Sequence, residues 1–226
     1  MWFAVRASFV ARRRSTPVRG RRSAPGRRAV SSLQGEALSR GMAVGVFGGS
    51  FDPVHAGHMH VAIAAMRRLG LDRIWWLVSP QNPIKNRRAE AYAERFEQVR
   101  TRVSLPGMVT SDIELRWRVQ HTKALLDELK KRHPNNHFVW LMGADNLRTF
   151  HRWYLWREIL QSVPVAVISR PQDPVRARLS MAASLYRNAR IRESQAKILP
   201  LKPAPAWTYL IEPLQSESSS AIRAKR

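Results

Sequence analysis

Cysteine is absent from the 226-residue chain. That excludes a disulfide framework, a thiolate metal site and a thiol nucleophile, and it is compatible with a reducing compartment. Long apolar runs are missing too: none approaches the about 20 residues that span a bilayer. Acidic residues are scarce, 16 against 39 lysines and arginines, for a formal net charge of +23. Such a balance suits nucleic acid or an anionic membrane surface, but it is unevenly spread. Residues 1–41 hold ten arginines and one acid, Glu36, a net +9; the remainder holds 29 basic and 15 acidic residues, a net +14. A body of that charge fits a site for polyanionic nucleotides and does not require nucleic acid.

Hydrophobic residues make up 44% of the chain, enough for a sizeable core. The length suggests one domain with an appendage, because a domain takes roughly 100–200 residues. Residues 1–41 are the appendage. They are rich in Arg, Ser, Pro, Gly and Ala, show no sustained apolar period, and read as a disordered basic extension. Three origins stay open: a start assigned upstream of Met42, a true basic tail, or an Arg- and Ser-rich, acid-poor transit peptide.

The domain is expected over 42–226. Val44–Phe47, Ile74–Val78, Phe138–Met142 and Val165–Ile168 are short apolar runs of the kind buried on both faces of a parallel sheet. Met108–Ile113 is a weaker strand and Trp207–Ile211 a last one. Helices are expected over Gly57–Leu69, Val119–Arg132 and Tyr154–Leu160, with a short one at Met181–Tyr186 in an otherwise poorly patterned stretch, 171–205. In the second, Thr122, Leu125, Leu126 and Leu129 fall on one face. A closing helical turn is expected at Ser219–Lys225. Alternation of strands and helices predicts a single α/β domain, a Rossmann-like, mostly parallel sheet with helices on both faces. In such sheets ligands bind beyond the carboxyl ends of the strands.

One of those ends carries Gly48-Gly49-Ser50-Phe51-Asp52-Pro53-Val54-His55-Ala56-Gly57-His58. Glycines let a backbone approach a phosphate, and a helix N-terminus presents unpaired N–H groups and a positive dipole end. His55 and His58, three apart at a helix start, bring two imidazoles to one mouth, each able to donate to a phosphate oxygen. A zinc pair is the other reading, but no cysteine or nearby third ligand supports it.

The string resembles the GxFDPxHxGH signature of the nucleotidyltransferase superfamily. Over residues 43–223 the chain is similar to its bacterial nicotinate-nucleotide adenylyltransferase family. Further segments carry the likeness: Ser79-Pro80-Gln81-Asn82-Pro83-Ile84-Lys85, Thr122, Gly143-Ala144-Asp145-Asn146-Leu147 with Phe150 and Trp153, and Ser218-Ser219-Ser220-Ala221-Ile222-Arg223. The resemblance implies adenylyl transfer from ATP to nicotinate mononucleotide in the cytoplasm, with Mg2+ carried mainly by ATP phosphates and no protein metal site, nucleic acid or membrane involved. It implies that His55, His58, Lys85 and Arg223 stabilise phosphate charge, and that Gly48, Gly49, Ser50, Phe51 and Ser219 cradle ATP. It assigns Asp145 to ribose, Trp153 to stacking on the pyridine ring, and Thr122 with backbone amides to its carboxylate. Two positions depart from the pattern: His121 stands where the family often has Tyr, and Ser220 where it has Thr.

Plainer readings stand beside these. Arg223 is one of many surface arginines, Trp153 one of eight tryptophans suited to core packing, Asp145 a candidate helix N-cap, and Lys85 a loop charge beside Arg87 and Arg88. Asp52 is equally suited to fixing the turn before Pro53. The rival substrate within the superfamily is pantetheine phosphate; the rival class is a basic nucleic-acid-binding protein, which explains the charge but not the phosphate loop.

Overall fold

The computed structural model describes residues 35–80, 91–169 and 177–212. Lys85, Ser219, Arg223, the expected closing turn and residues 1–34 lie outside the described residues. Seven strands form one sheet: β1 (Ala43–Gly49), β2 (Arg73–Val78), β3 (Met108–Ser111), β4 (His137–Gly143), β5 (Val165–Ile168), β6 (Arg190–Ile191) and β7 (Trp207–Leu210), in the order β3-β2-β1-β4-β5-β7-β6. Every pairing is parallel. The helices are α1 (Ala56–Leu69), α2 (Tyr92–Arg102), α3 (Ile113–Arg116), α4 (Thr122–Arg132), α5 (Ala144–Thr149), α6 (Trp156–Ser162) and α7 (Met181–Leu185).

The strands are buried on both faces because alternate residues feed two separate cores. Val44, Val46, Trp75, Leu77, Trp140 and Val167 pack with Leu125, Leu126 and Leu129 of α4 and with α5, α6 and α7. Phe47, Ile74, Trp76, Leu141 and Ile168 pack with Val61, Ala65 and Leu69 of α1 and Val99 of α2. Strand order reverses between β1 and β4, the neighbours that run in register from Ala43↔His137 to Phe47↔Leu141. The crevice beyond their carboxyl ends is the topological switch point where such sheets hold ligands.

Several boundaries differ from the sequence reading. The third strand stops at Ser111, and Ile113 opens a helical turn instead. The helix expected from Val119 starts at Thr122, after Arg118 takes a left-handed conformation with φ 55°. The helix expected from Tyr154 starts at Trp156, because Leu155 is also left-handed, φ 52°. Helix α2, strand β6 and the 3-10 segment Glu193–Leu201 were not expected. The edge of the extension also moves. Residues 35–41 pack on the domain: Ser111 Oγ and the Arg116 guanidinium both donate to Glu36. Asn136 Nδ2 donates to the Ser39 carbonyl at 2.6 Å, Gly41 N–H to Asn135 O at 2.9 Å, and Leu38 rests on the core.

Candidate functional site

At the end of β1 the chain turns tightly. Phe51 adopts φ 44°, a left-handed conformation that is costly for a bulky residue, and its ring is buried between Phe47 and Trp76. Any contact of Phe51 with a ligand would therefore be through backbone. The turn delivers His55 to the N-cap of α1. Its Nδ1 accepts the Gly57 N–H at 3.1 Å, while His58 Nδ1 accepts the His55 N–H at 3.3 Å, a reciprocal capping box made of two imidazoles. The rings lie 3.8 Å apart between centroids, and Phe51 meets His58 edge-on at 5.1 Å.

This capping sets the chemistry of both rings. A nitrogen that accepts a backbone N–H carries no proton, so the neutral imidazole keeps its proton on Nε2. Each histidine is thereby held as an Nε2–H donor. No acid lies in the first turn of α1, so the positive end of the helix dipole is not neutralised from within. The far end is tied down: Arg67 and Arg68 in the last turn pair with the buried Glu212 at 3.0 and 2.7 Å, and Arg68 also with Glu193 at 2.6 Å.

The glycines also serve packing: a Cβ at Gly48 would lie 2.5 Å from Trp140 Cη2, and one at Gly49 3.1 Å from the Phe51 ring. The missing side chains make room for aromatic rings of the protein, leaving only the backbone at these positions to face a ligand.

Across the crevice, Trp153 is half-buried, edge-on to Phe150 at 5.3 Å and to Trp140 at 6.1 Å. Trp140 thus joins the end of the phosphate-type loop to Trp153. Thr122 is the first residue of α4, and the His121 ring before it lies 4.6 Å from Tyr154. That pair brings the start of α4 beside Trp153. Asp145 is exposed in the first turn of α5; Gly143 holds the N-cap position, so the capping alternative for Asp145 is set aside. The described candidates Ser50, His55, His58, Thr122, Asp145 and Trp153 all sit beyond the carboxyl ends of β1 and β4 or on helices entering there.

The sequence reading missed Arg95, Glu114 and Tyr92. Arg95 of α2 is 1% exposed and its guanidinium donates to carbonyls of the loops after both β1 and β2. Its signal is its place on the face shared by Tyr92, Phe96 and Val99. Glu114 of α3 accepts a hydrogen bond from Ser79; burial outweighs that bond and pushes its carboxyl up to about 7. Tyr92 is pushed up to about 12, chiefly by burial, then by Asp112 and Glu114. Neither Glu114 nor Tyr92 carries a sequence motif.

Among the described residues no group of three or more His, Cys, Asp or Glu could hold a metal ion. None of their helices is long and apolar enough to cross a membrane.

A family model described as cytidylyltransferase-like matches residues 46–225. A Roseobacter denitrificans protein named "Probable nicotinate-nucleotide adenylyltransferase" is 44% identical over 185 residues, 82% of this chain and 93% of that protein. One of the same name from Caulobacter sp. is 50% identical over 186 residues, 82% of this chain and 98% of that protein. Among solved structures, nicotinic acid mononucleotide adenylyltransferase of Plasmodium falciparum complexed with NaAD superposes with a TM-score of 0.61 at 20% identity, covering 80% of this chain and 82% of that one. The same enzyme with APC gives 0.59 at 20% identity, over 81% and 83%. These two likenesses establish the shared fold.

Proposed function

Because the chain belongs to the nicotinate-nucleotide adenylyltransferase family, we propose that it catalyses that family's step of NAD biosynthesis. It transfers the adenylyl group of ATP to nicotinate mononucleotide, giving nicotinate adenine dinucleotide and pyrophosphate. A phosphate oxygen of the mononucleotide attacks the α-phosphorus in line, and the bond to the bridging β-phosphate oxygen breaks. No covalent intermediate with the protein forms. Catalysis is then positioning plus stabilisation of charge on the phosphates.

The observation that carries this reading is the histidine pair at the start of α1, two imidazoles at one helix end with each Nδ1 occupied by backbone. Their Nε2–H groups, the helix dipole and the backbone of Gly48 to Phe51 would hold ATP phosphates. Lys85 and Arg223 would add positive charge, with Ser219 beside Arg223 at the β/γ end. Asp145 would accept from ribose hydroxyls, Trp153 stack on the pyridine ring, and Thr122 with the first amides of α4 meet its carboxylate. Mg2+ would enter with ATP as part of the substrate, held by phosphate oxygens and water; the donor set of the described residues offers it no cage of its own. A cytoplasmic site of action, with no nucleic acid or membrane partner, belongs to the same reading.

The acid form is the favoured substrate. The segment from Gly143 to Trp153 contains a single acid, Asp145, so the ring carboxylate meets donors and little repulsion. An amide would mispair some of those donors, at about 1–3 kcal/mol each when buried. Purified enzyme given ATP with nicotinate mononucleotide, nicotinamide mononucleotide or pantetheine phosphate in turn tests this. A kcat/KM preference for the nicotinate form of at least about tenfold is expected, which needs only ~1.4 kcal/mol. Equal values for the two pyridine substrates overturn the substrate assignment and leave adenylyl transfer; turnover of pantetheine phosphate alone moves the chain to the rival activity.

A further inference from the structure

Arg95 is a charge buried at 1% exposure in the wall of the site, and nothing in the reaction as described uses it. Its Nη1 donates to Ser50 O at 2.7 Å and Ser79 O at 2.9 Å; its Nη2 donates to Pro80 O at 3.0 Å. Ser50 begins the loop after β1 that runs to His55. Ser79 and Pro80 begin the loop after β2 that runs on in sequence to Lys85. A third tie joins the same two loops directly, Ser79 N–H to Gly49 O at 2.9 Å. Glu114 holds Ser79 as well, and the Tyr92 ring lies 5.7 Å from the guanidinium carbon.

Desolvating a guanidinium is costly, and an apolar side chain of similar volume would fill this space at less cost. Three carbonyl groups accept from it here, a set suited to a planar, multidentate donor. The consequence falls on the loop. In a trans peptide the C=O and the next N–H point in opposite directions. Drawing Ser50 O down onto Arg95 therefore turns the Phe51 N–H away from it, and helps hold Phe51 in its left-handed conformation.

We infer that Arg95 is a positioning residue for ATP: it locks the loops after β1 and β2 together and fixes the Ser50–Phe51 peptide against which the phosphates rest. The inference rests on the adenylyl-transfer reading. It acts on the ATP side of the crevice and leaves the Trp153 and Thr122 side untouched.

Steady-state kinetics of Arg95→Lys beside the unaltered enzyme separate the cases. Positioning predicts a raised KM for ATP, with kcat/KM for ATP lower by about ten- to a hundredfold, the scale of a small misplacement of reacting groups, and KM for nicotinate mononucleotide unchanged. In Arg95→Ala, low millimolar guanidinium should restore part of the ATP turnover. A fall in kcat with both KM values unchanged means only that fewer molecules fold, and overturns the inference. So does a loss of folding in both variants, or unaltered ATP kinetics. If the unaltered enzyme itself forms no dinucleotide, the functional reading fails rather than the role of Arg95.

Discussion

His55 and His58 each accept a backbone N–H through Nδ1, capping α1, and the proposed reaction gives their Nε2–H groups a second task at the phosphates. His58→Ala is expected to lower kcat by roughly two to four orders of magnitude, the range for losing a preorganised charge-stabilising group. It also removes the acceptor of the capping box, at about 0.5–2 kcal/mol, so a modest fall in melting temperature should accompany the kinetic loss. Near-normal turnover would take His58 out of the catalytic set. Glu114 offers a second residue-level prediction. Burial holds its native carboxyl at about 7 against the ordinary 4.5, so the folded protein retains a proton that the unfolded chain has released. Stability is therefore lost as pH rises from about 4.5 to about 7, and the cost of the buried charge is fully present above that window. Glu114→Gln should melt higher than the unaltered protein at about pH 8, with the difference shrinking near pH 5. An equal difference at both values would show that the carboxyl does not titrate in this window. The histidines were readable from a contiguous string. Arg95 and Glu114 were not, because what defines them is burial beside loops distant in sequence.

Elements show the same division. The buried strands announce themselves as unbroken apolar runs, Ile74–Val78 and Phe138–Met142, and the structure keeps them within a residue or so. Helix α2 was hidden because its inner face, Tyr92, Phe96 and Val99, includes Arg95 and is surrounded by charge. The end of β1 is the element most sensitive to change. Gly48→Ala would set a Cβ 2.5 Å from Trp140 Cη2, and Trp140 is in turn edge-on to Trp153. Overpacking of this kind costs about 1–3 kcal/mol. The expected result is a lower melting temperature together with a raised KM for nicotinate mononucleotide, read by thermal melts and steady-state kinetics. A melting shift with unchanged KM would show that Trp140 absorbs the strain without moving Trp153.

For the whole molecule, the boundary of the domain matters. Glu36, Leu38, Ser39 and Gly41 contact the body through an ion pair, apolar packing and hydrogen bonds. A chain beginning at Met42 should lose little: an exposed ion pair contributes about 0–1 kcal/mol, and ~1 kcal/mol shifts the melting temperature of a domain this size by about 2–4 °C. Turnover should persist, since the contacts made by this segment are to Ser111, Arg116, Asn135 and Asn136 rather than to the histidine loop. Removing residues 1–34 alone should leave both quantities unchanged. A larger fall in melting temperature, or loss of activity, on starting at Met42 would make the segment part of the working enzyme. The net charge of +23 tempts toward a nucleic-acid reading; the uneven spread of that charge and the phosphate-type loop point to small polyanions instead.

The sequence by itself determined the parallel α/β class, because runs buried on both faces leave few other architectures, and it determined the family, because eleven contiguous residues match its signature. Tertiary structure alone decided which rings pack against the glycines, which nitrogen of each histidine accepts a backbone N–H, and which buried charge joins two loops. Those properties depend on which atoms meet across the sheet. Trp140 reaches Gly48, and Arg95 reaches Ser50 and Pro80, over sequence separations that local pattern does not encode.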